Sequence, residues 1–178
     1  MGVLFFFAIL IILAIYGSIN YYIGLKGWEL ISSLLPFVSS KIYWPIFWLI
    51  ALSYIIVRFL SRFMPSAISY FLTLIGSYWL GAMIYLSMII LIIRIITFLD
   101  RLLSFIPAQL KTTSVSNIIS ICVILIVAAL LVSGVRSANN PTTVKYDVTI
   151  NKDAGTIKTL HAIAVSDIHL GTLVRKNH

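Results

Sequence analysis

Four stretches of this chain, at about residues 3–24, 42–60, 67–93 and 117–134, are apolar almost without interruption. Each is close to or beyond the roughly 20 residues that an α-helix needs to cross about 30 Å of hydrocarbon. Lipid offers no hydrogen bonds, so a chain that crosses it must satisfy its backbone N–H and C=O groups internally. These runs therefore predict four transmembrane helices. The third run, about 27 residues or roughly 40 Å at 1.5 Å per residue, is too long for one perpendicular crossing and is expected to tilt or project.

The composition agrees. Only 10% of the 178 residues are charged and 61% are hydrophobic, against about a quarter charged in an ordinary soluble domain. Of the five acids, Asp147, Asp153 and Asp167 follow residue 140, which leaves Glu29 and Asp100 for the apolar region. The net charge of +8 does not point to nucleic acid. Its basic residues stand singly at the ends of apolar runs, where they anchor helices against anionic lipid. Cys122 is the single cysteine, so neither a disulfide framework nor a cysteine metal cluster is expected. No basic residue precedes the first apolar run, whose core is also too long for a cleaved signal, so it is read as a retained helix.

Between the first two spans, residues 27–40 are expected to form a short interfacial helix. Trp28, Leu30, Ile31, Leu34, Leu35 and Phe37 give it an apolar side, and Pro36 marks its end. Arg58, Arg62 and Arg94 sit at span ends and are read as side chains snorkelling to headgroups. Ser77 and Gly81 have the small-xxx-small spacing that permits close helix approach. No internal repeat, phosphate-binding loop, dinucleotide fingerprint or nucleophilic triad is present.

The character changes near residue 135. The reading divides the chain into a four-helix membrane domain over 1–135, a turn-rich linker over 136–141 and a tail over 142–178. In the tail, Val144, Tyr146, Val148 and Ile150 alternate with Lys145, Asp147 and Thr149, the pattern of a half-exposed strand. "NKDAG" reads as a turn, and "TIKTLHAIAVS" as a second strand, apolar on both faces at 162–165. About forty residues are too few to bury a core of their own. His161, in mid-strand, is read as a packed histidine.

"VSDIHLG" closes that strand. Asp167 and His169 are two residues apart, so an extended chain turns both to one face. A carboxylate and an imidazole side by side suit Zn, Mn or Fe, and Gly171 allows a sharp turn beside them. The competing reading of Asp-x-His alone is a turn-capping acid next to a surface histidine.

"LHAIAVSDIHLG" resembles the opening motif of the calcineurin-like metallophosphoesterases. The order of spans, "VKYDVTI" and that motif is similar to the membrane-anchored bacterial branch of the family. The resemblance implies an α/β phosphoesterase domain with two metals, Asp167 and His169 among the ligands of one of them. It also implies attack on phosphorus by a metal-activated hydroxide and a place in a bacterial cytoplasmic membrane. Lipid-linked or surface phosphates are the substrates it suggests. The family's later Gly-Asp, Gly-Asn-His and Gly-His-x-His motifs are not found among the 178 residues. The expectation is thus a membrane anchor plus the leading β-strands of an incomplete α/β domain, inactive by itself, with the bilayer as its partner.

Two other readings stand beside it. One is a four-helix scaffold or partner-binding subunit without catalysis. The other is a transporter or channel, disfavoured because no span carries a central charge or a break. Four crossings put both chain ends on one side. Lys26, Lys41, Arg94, Arg101 and Lys111 fall on one side and Arg58, Arg62, Arg136 and Lys145 on the other. That one-charge excess leans the tail away from the cytoplasm.

Overall fold

A computed structural model describes residues 2–140 and Gly155. The strands expected over 142–178, with Asp167 and His169, lie outside the described residues. Four long helices make up the described part: α1 (Gly2–Leu34), α2 (Ser40–Leu60), α3 (Ser66–Leu103) and α4 (Thr113–Asn139). All four are long and apolar enough to cross a membrane. The chain divides into two units, Met1–Val132 and Ser133–His178. The division falls within α4, whose last turns are described on their own.

Local chemistry sets the helix ends. α1 stops at Leu34 because Pro36 disfavours helical backbone at Leu35. The chain then turns around Pro36 and Phe37, with the Val38 N–H donating to the Leu35 carbonyl at 3.0 Å. Ser39 opens α2, its hydroxyl accepting from the Lys41 N–H at 3.3 Å. α3 begins after Pro65 and ends where Ser104 takes a left-handed conformation (φ 50°), its N–H donating to the Asp100 carbonyl at 2.7 Å. The Thr112 hydroxyl accepts from the Val115 N–H at 3.4 Å and opens α4.

Two boundaries differ from the sequence-based expectation. Residues 27–34 are the last turns of α1, not a separate interfacial helix. No helix breaker precedes Pro36, and the glycine at 24 does not interrupt the helix because it is held by packing. A Cβ there would come within 2.7 Å of Trp44 and 2.9 Å of Phe47, and the Tyr43 hydroxyl donates to the Gly24 carbonyl at 2.8 Å. At the other end, α4 continues through Arg136 to Asn139, taking up most of the expected linker. α4 ends at Asn139, two positions before the proline of the sequence, a residue type that disfavours helical backbone at the position before it.

α2 and α3 are antiparallel neighbours joined by a short turn, and their crossing is tight at Gly76. A Cβ on Gly76 would lie 2.5 Å from the backbone N of Tyr54 and 2.8 Å from the Ser53 hydroxyl. Ser53 is fully buried and donates to the Ile50 carbonyl at 2.7 Å, so it presents no unpaired polar group to the crossing. Thus Gly76, next to the Ser77 of the sequence pattern, is the residue at the close approach. Gly81 faces α4 instead, where a Cβ would lie 3.0 Å from Leu131.

Around this crossing lies a small core of Ile23, Phe47 and Ala51, flanked by Ile19, Tyr43, Trp44, Trp48, Trp79, Met83, Leu86 and Ile90. Phe47 stacks on Tyr43 at 5.8 Å and meets Trp79 edge-on at 5.3 Å. The outer faces carry large apolar side chains in the open, such as Leu4, Phe5, Ile12, Leu91 and Leu125. On a soluble protein, an apolar surface of this extent would mark an interaction site or an aggregation hazard; on spanning helices it is the lipid-facing surface.

Replacing Gly76 with Ala is expected to destabilise the bundle by about 1–3 kcal/mol, as overpacking does. Gly17→Ala, where a Cβ meets nothing within 4 Å, is expected to be neutral or stabilising by up to about 1 kcal/mol. Unfolding in mixed dodecyl maltoside–SDS micelles, followed by far-ultraviolet circular dichroism, measures both.

Candidate functional site

A polar centre sits where α1, α2 and α3 meet, among side chains that are otherwise apolar. Asn20 of α1 is fully buried. Its Oδ1 accepts from the Trp79 indole N–H of α3 at 2.8 Å. Its Nδ2 donates to the Tyr16 carbonyl at 2.9 Å and to Met83 Sδ at 3.2 Å. One turn earlier, the Tyr16 hydroxyl donates to the Ala51 carbonyl of α2. One amide and one phenol thus tie α1 to both of its neighbours. No buried side-chain polar atom among the described residues lacks a partner.

This centre is neutral. An amide, an indole and a thioether carry no group that gains or loses a proton near neutral pH. Its chemistry is that of a clasp. Hydrophobicity does not drive helices together in lipid, so interhelical hydrogen bonds and close packing must do so. Sequence reasoning passed over Asn20 because it lies where the first apolar run gives way to aromatic residues. The available signal was an amide one turn from Tyr16 on a membrane helix, a spacing that puts both on one face.

Charged groups gather where α1 turns into α2 and α3 into α4. Lys26 pairs with Glu29 on α1. Arg94 of α3 donates from Nε to the Tyr22 hydroxyl, its guanidinium 5.2 Å over the Tyr22 ring. That contact gives the expected terminal arginine a defined partner on α1. Asp100, buried in the last turns of α3, accepts from the Ile106 N–H at 2.7 Å through Oδ1 and pairs with Lys111 at 2.6 Å through Oδ2. It folds the α3–α4 connection back over the helix end. Asn117 of α4 donates to the Ser33 hydroxyl of α1 at 2.8 Å.

The metal ligands expected from the sequence, Asp167 and His169, lie outside the described residues. Within the described residues, no three of His, Cys, Asp and Glu come together as a metal site. Cys122 is exposed on α4. No family model, curated protein or solved structure matches the chain.

The Asn20–Trp79 hydrogen bond is expected to couple α1 to α3 by about 0.6–1.7 kcal/mol, the range measured for interhelical bonds in a membrane bundle. A double-mutant cycle of Asn20→Ala and Trp79→Phe, read by the same micellar unfolding, gives this coupling directly.

Proposed function

We propose that this chain is the membrane anchor and leading edge of a metal-dependent phosphoesterase. One observation carries the reading: "AIAVSDIHLG" places Asp167 and His169 at the end of an apolar, strand-like run that follows four membrane helices. The bundle supports it in one respect. Its buried centre is neutral and closed by hydrogen bonds, as suits a region that holds position and leaves chemistry to other residues.

The donor chemistry fits a borderline divalent metal, Mn, Fe or Zn, at two positions. Asp167 would supply a carboxylate oxygen and His169 an imidazole nitrogen, while Ile168 between them faces the opposite way in an extended strand. The described residues supply no further ligand. They contain no histidine, and their two acids, Glu29 and Asp100, are paired with Lys26 and Lys111. A pair of divalent ions, when bound, stabilises the negative charge that grows on phosphoryl oxygens. The chain's own contribution is to hold such a site next to the membrane, which favours phosphate esters at its surface or attached to lipid.

The test begins with the intact mass of the polypeptide isolated from its native membranes. A mass well above 19.9 kDa, together with Mn-dependent hydrolysis of a phosphodiester, is the expected result. Asp167→Asn and His169→Asn should each lower that hydrolysis by at least about 100-fold, the upper end of what even indirect metal-site substitutions cost. A mass of 19.9 kDa with no phosphoesterase activity in the same membranes would sink the reading.

A further inference from the structure

The α2–α3 turn carries a second feature that the anchor role does not use. Arg58, Phe59, Ser61, Arg62 and Phe63 line an open depression of about 550 Å³. Arg58 stands in the last turn of α2 and Arg62 in a short 3-10 turn over Ser61–Phe63, and both border the same depression. Both arginines are exposed. Among the described residues, neither they nor the Ser61 hydroxyl has an ion-pair or hydrogen-bond partner. The two described acids, Glu29 and Asp100, are paired with lysines at the other end of the bundle.

We propose that this depression binds the phosphate of an anionic lipid headgroup. Two forked guanidinium groups and a hydroxyl offer the donors that a phosphate diester accepts. α2 has 21 residues, about 31 Å at 1.5 Å per residue. Spanning the roughly 30 Å of hydrocarbon, a helix of that length would bring its end to the boundary with the headgroups. Phe59 and Phe63, 72% and 81% exposed, line the same depression and supply the apolar rim against which acyl chains would lie. Free inorganic phosphate shares the donor chemistry but has nothing to place against that rim, which decides between the two sources.

The experiment uses the full chain in mild detergent with an equal mixture of phosphatidylglycerol and phosphatidylcholine, and counts retained lipids by native mass spectrometry. The protein should retain phosphatidylglycerol preferentially, and excess inorganic phosphate should not displace it. The double variant Arg58→Gln/Arg62→Gln should retain it about thirtyfold more weakly, while Arg101→Gln at the opposite end of α3 should match the unaltered chain. The proposal is overturned by undiminished retention in the double variant, by an equal loss in Arg101→Gln, or by displacement with inorganic phosphate. Should the glutamine pair fail to fold, Arg58→Lys/Arg62→Lys decides the matter. It keeps both charges and loses the forks, so a several-fold loss supports the site and undiminished retention rejects it.

Discussion

The close approach of α2 and α3 at Gly76 is the contact on which the rest of the bundle rests. In lipid, burying an apolar side chain between helices gains little over leaving it against acyl chains, so association depends on atoms meeting closely and on hydrogen bonds. With hydrogen in place of a side chain at residue 76, the backbone of α3 reaches that of α2 beside Tyr54 and Ser53. That approach brings Trp79, one turn on, against Phe47 at 5.3 Å. The indole N–H is then placed to donate to Asn20, and α1 is held against the pair. A larger residue at 76 would part α2 from α3 and with them the two surfaces that α1 uses.

The polar groups inside the bundle follow one rule: each is neutral and each is paired. A buried carboxylate or ammonium would need a counter-charge or a water-filled cavity, and such groups mark ion and proton paths in membrane proteins. Asn20 and Ser53 need neither, since an amide and a hydroxyl can be fully satisfied by neighbouring carbonyls, an indole and a thioether. The one buried acid among the described residues, Asp100, stands in the last turns of α3 beside Lys111, at the rim of the bundle. Among the described residues the interior is thus lined by apolar side chains and paired neutral groups.

How much of this was legible in the sequence depended on whether the determining interaction was local. The four helices were, because a chain in lipid has few alternatives and hydropathy records where the lipid is. Pro36 and Pro141 were legible as stops for the same local reason. The continuity of α1 past Gly24 was not, since a glycine weakens a helix unless something covers it, and Trp44, Phe47 and Tyr43 come from twenty residues further on. Gly76 and Ser53 are 23 positions apart, so the spacing rule found small residues nearby and missed the pair that meet. Asn20 depended on Trp79, 59 positions away. Asp167 and His169 are the reverse case: the sequence alone speaks for them, through a two-residue spacing and the strand-like run before it.

The two ends of the bundle are built differently, and the difference bears on how a helix bundle keeps its depth in a bilayer. α1 has 33 residues and α3 has 38, about 50 and 57 Å at 1.5 Å per residue, well beyond the roughly 30 Å of hydrocarbon. The contacts of Arg94 with Tyr22 and of Asn117 with Ser33 show that the later turns of both helices lie at one end. There, Lys26 pairs with Glu29 and Lys111 with Asp100. At the other end, α2 passes into α3 through five residues, 61–65, and Arg58 in the last turn of α2 and Arg62 in the connection pair with no described acid. A helix bundle in a fluid bilayer can slide along the membrane normal unless its ends resist in different ways. The paired charges at one end and the arginines at the other each resist being drawn into hydrocarbon. Together they would limit movement of the bundle along the membrane normal in both directions.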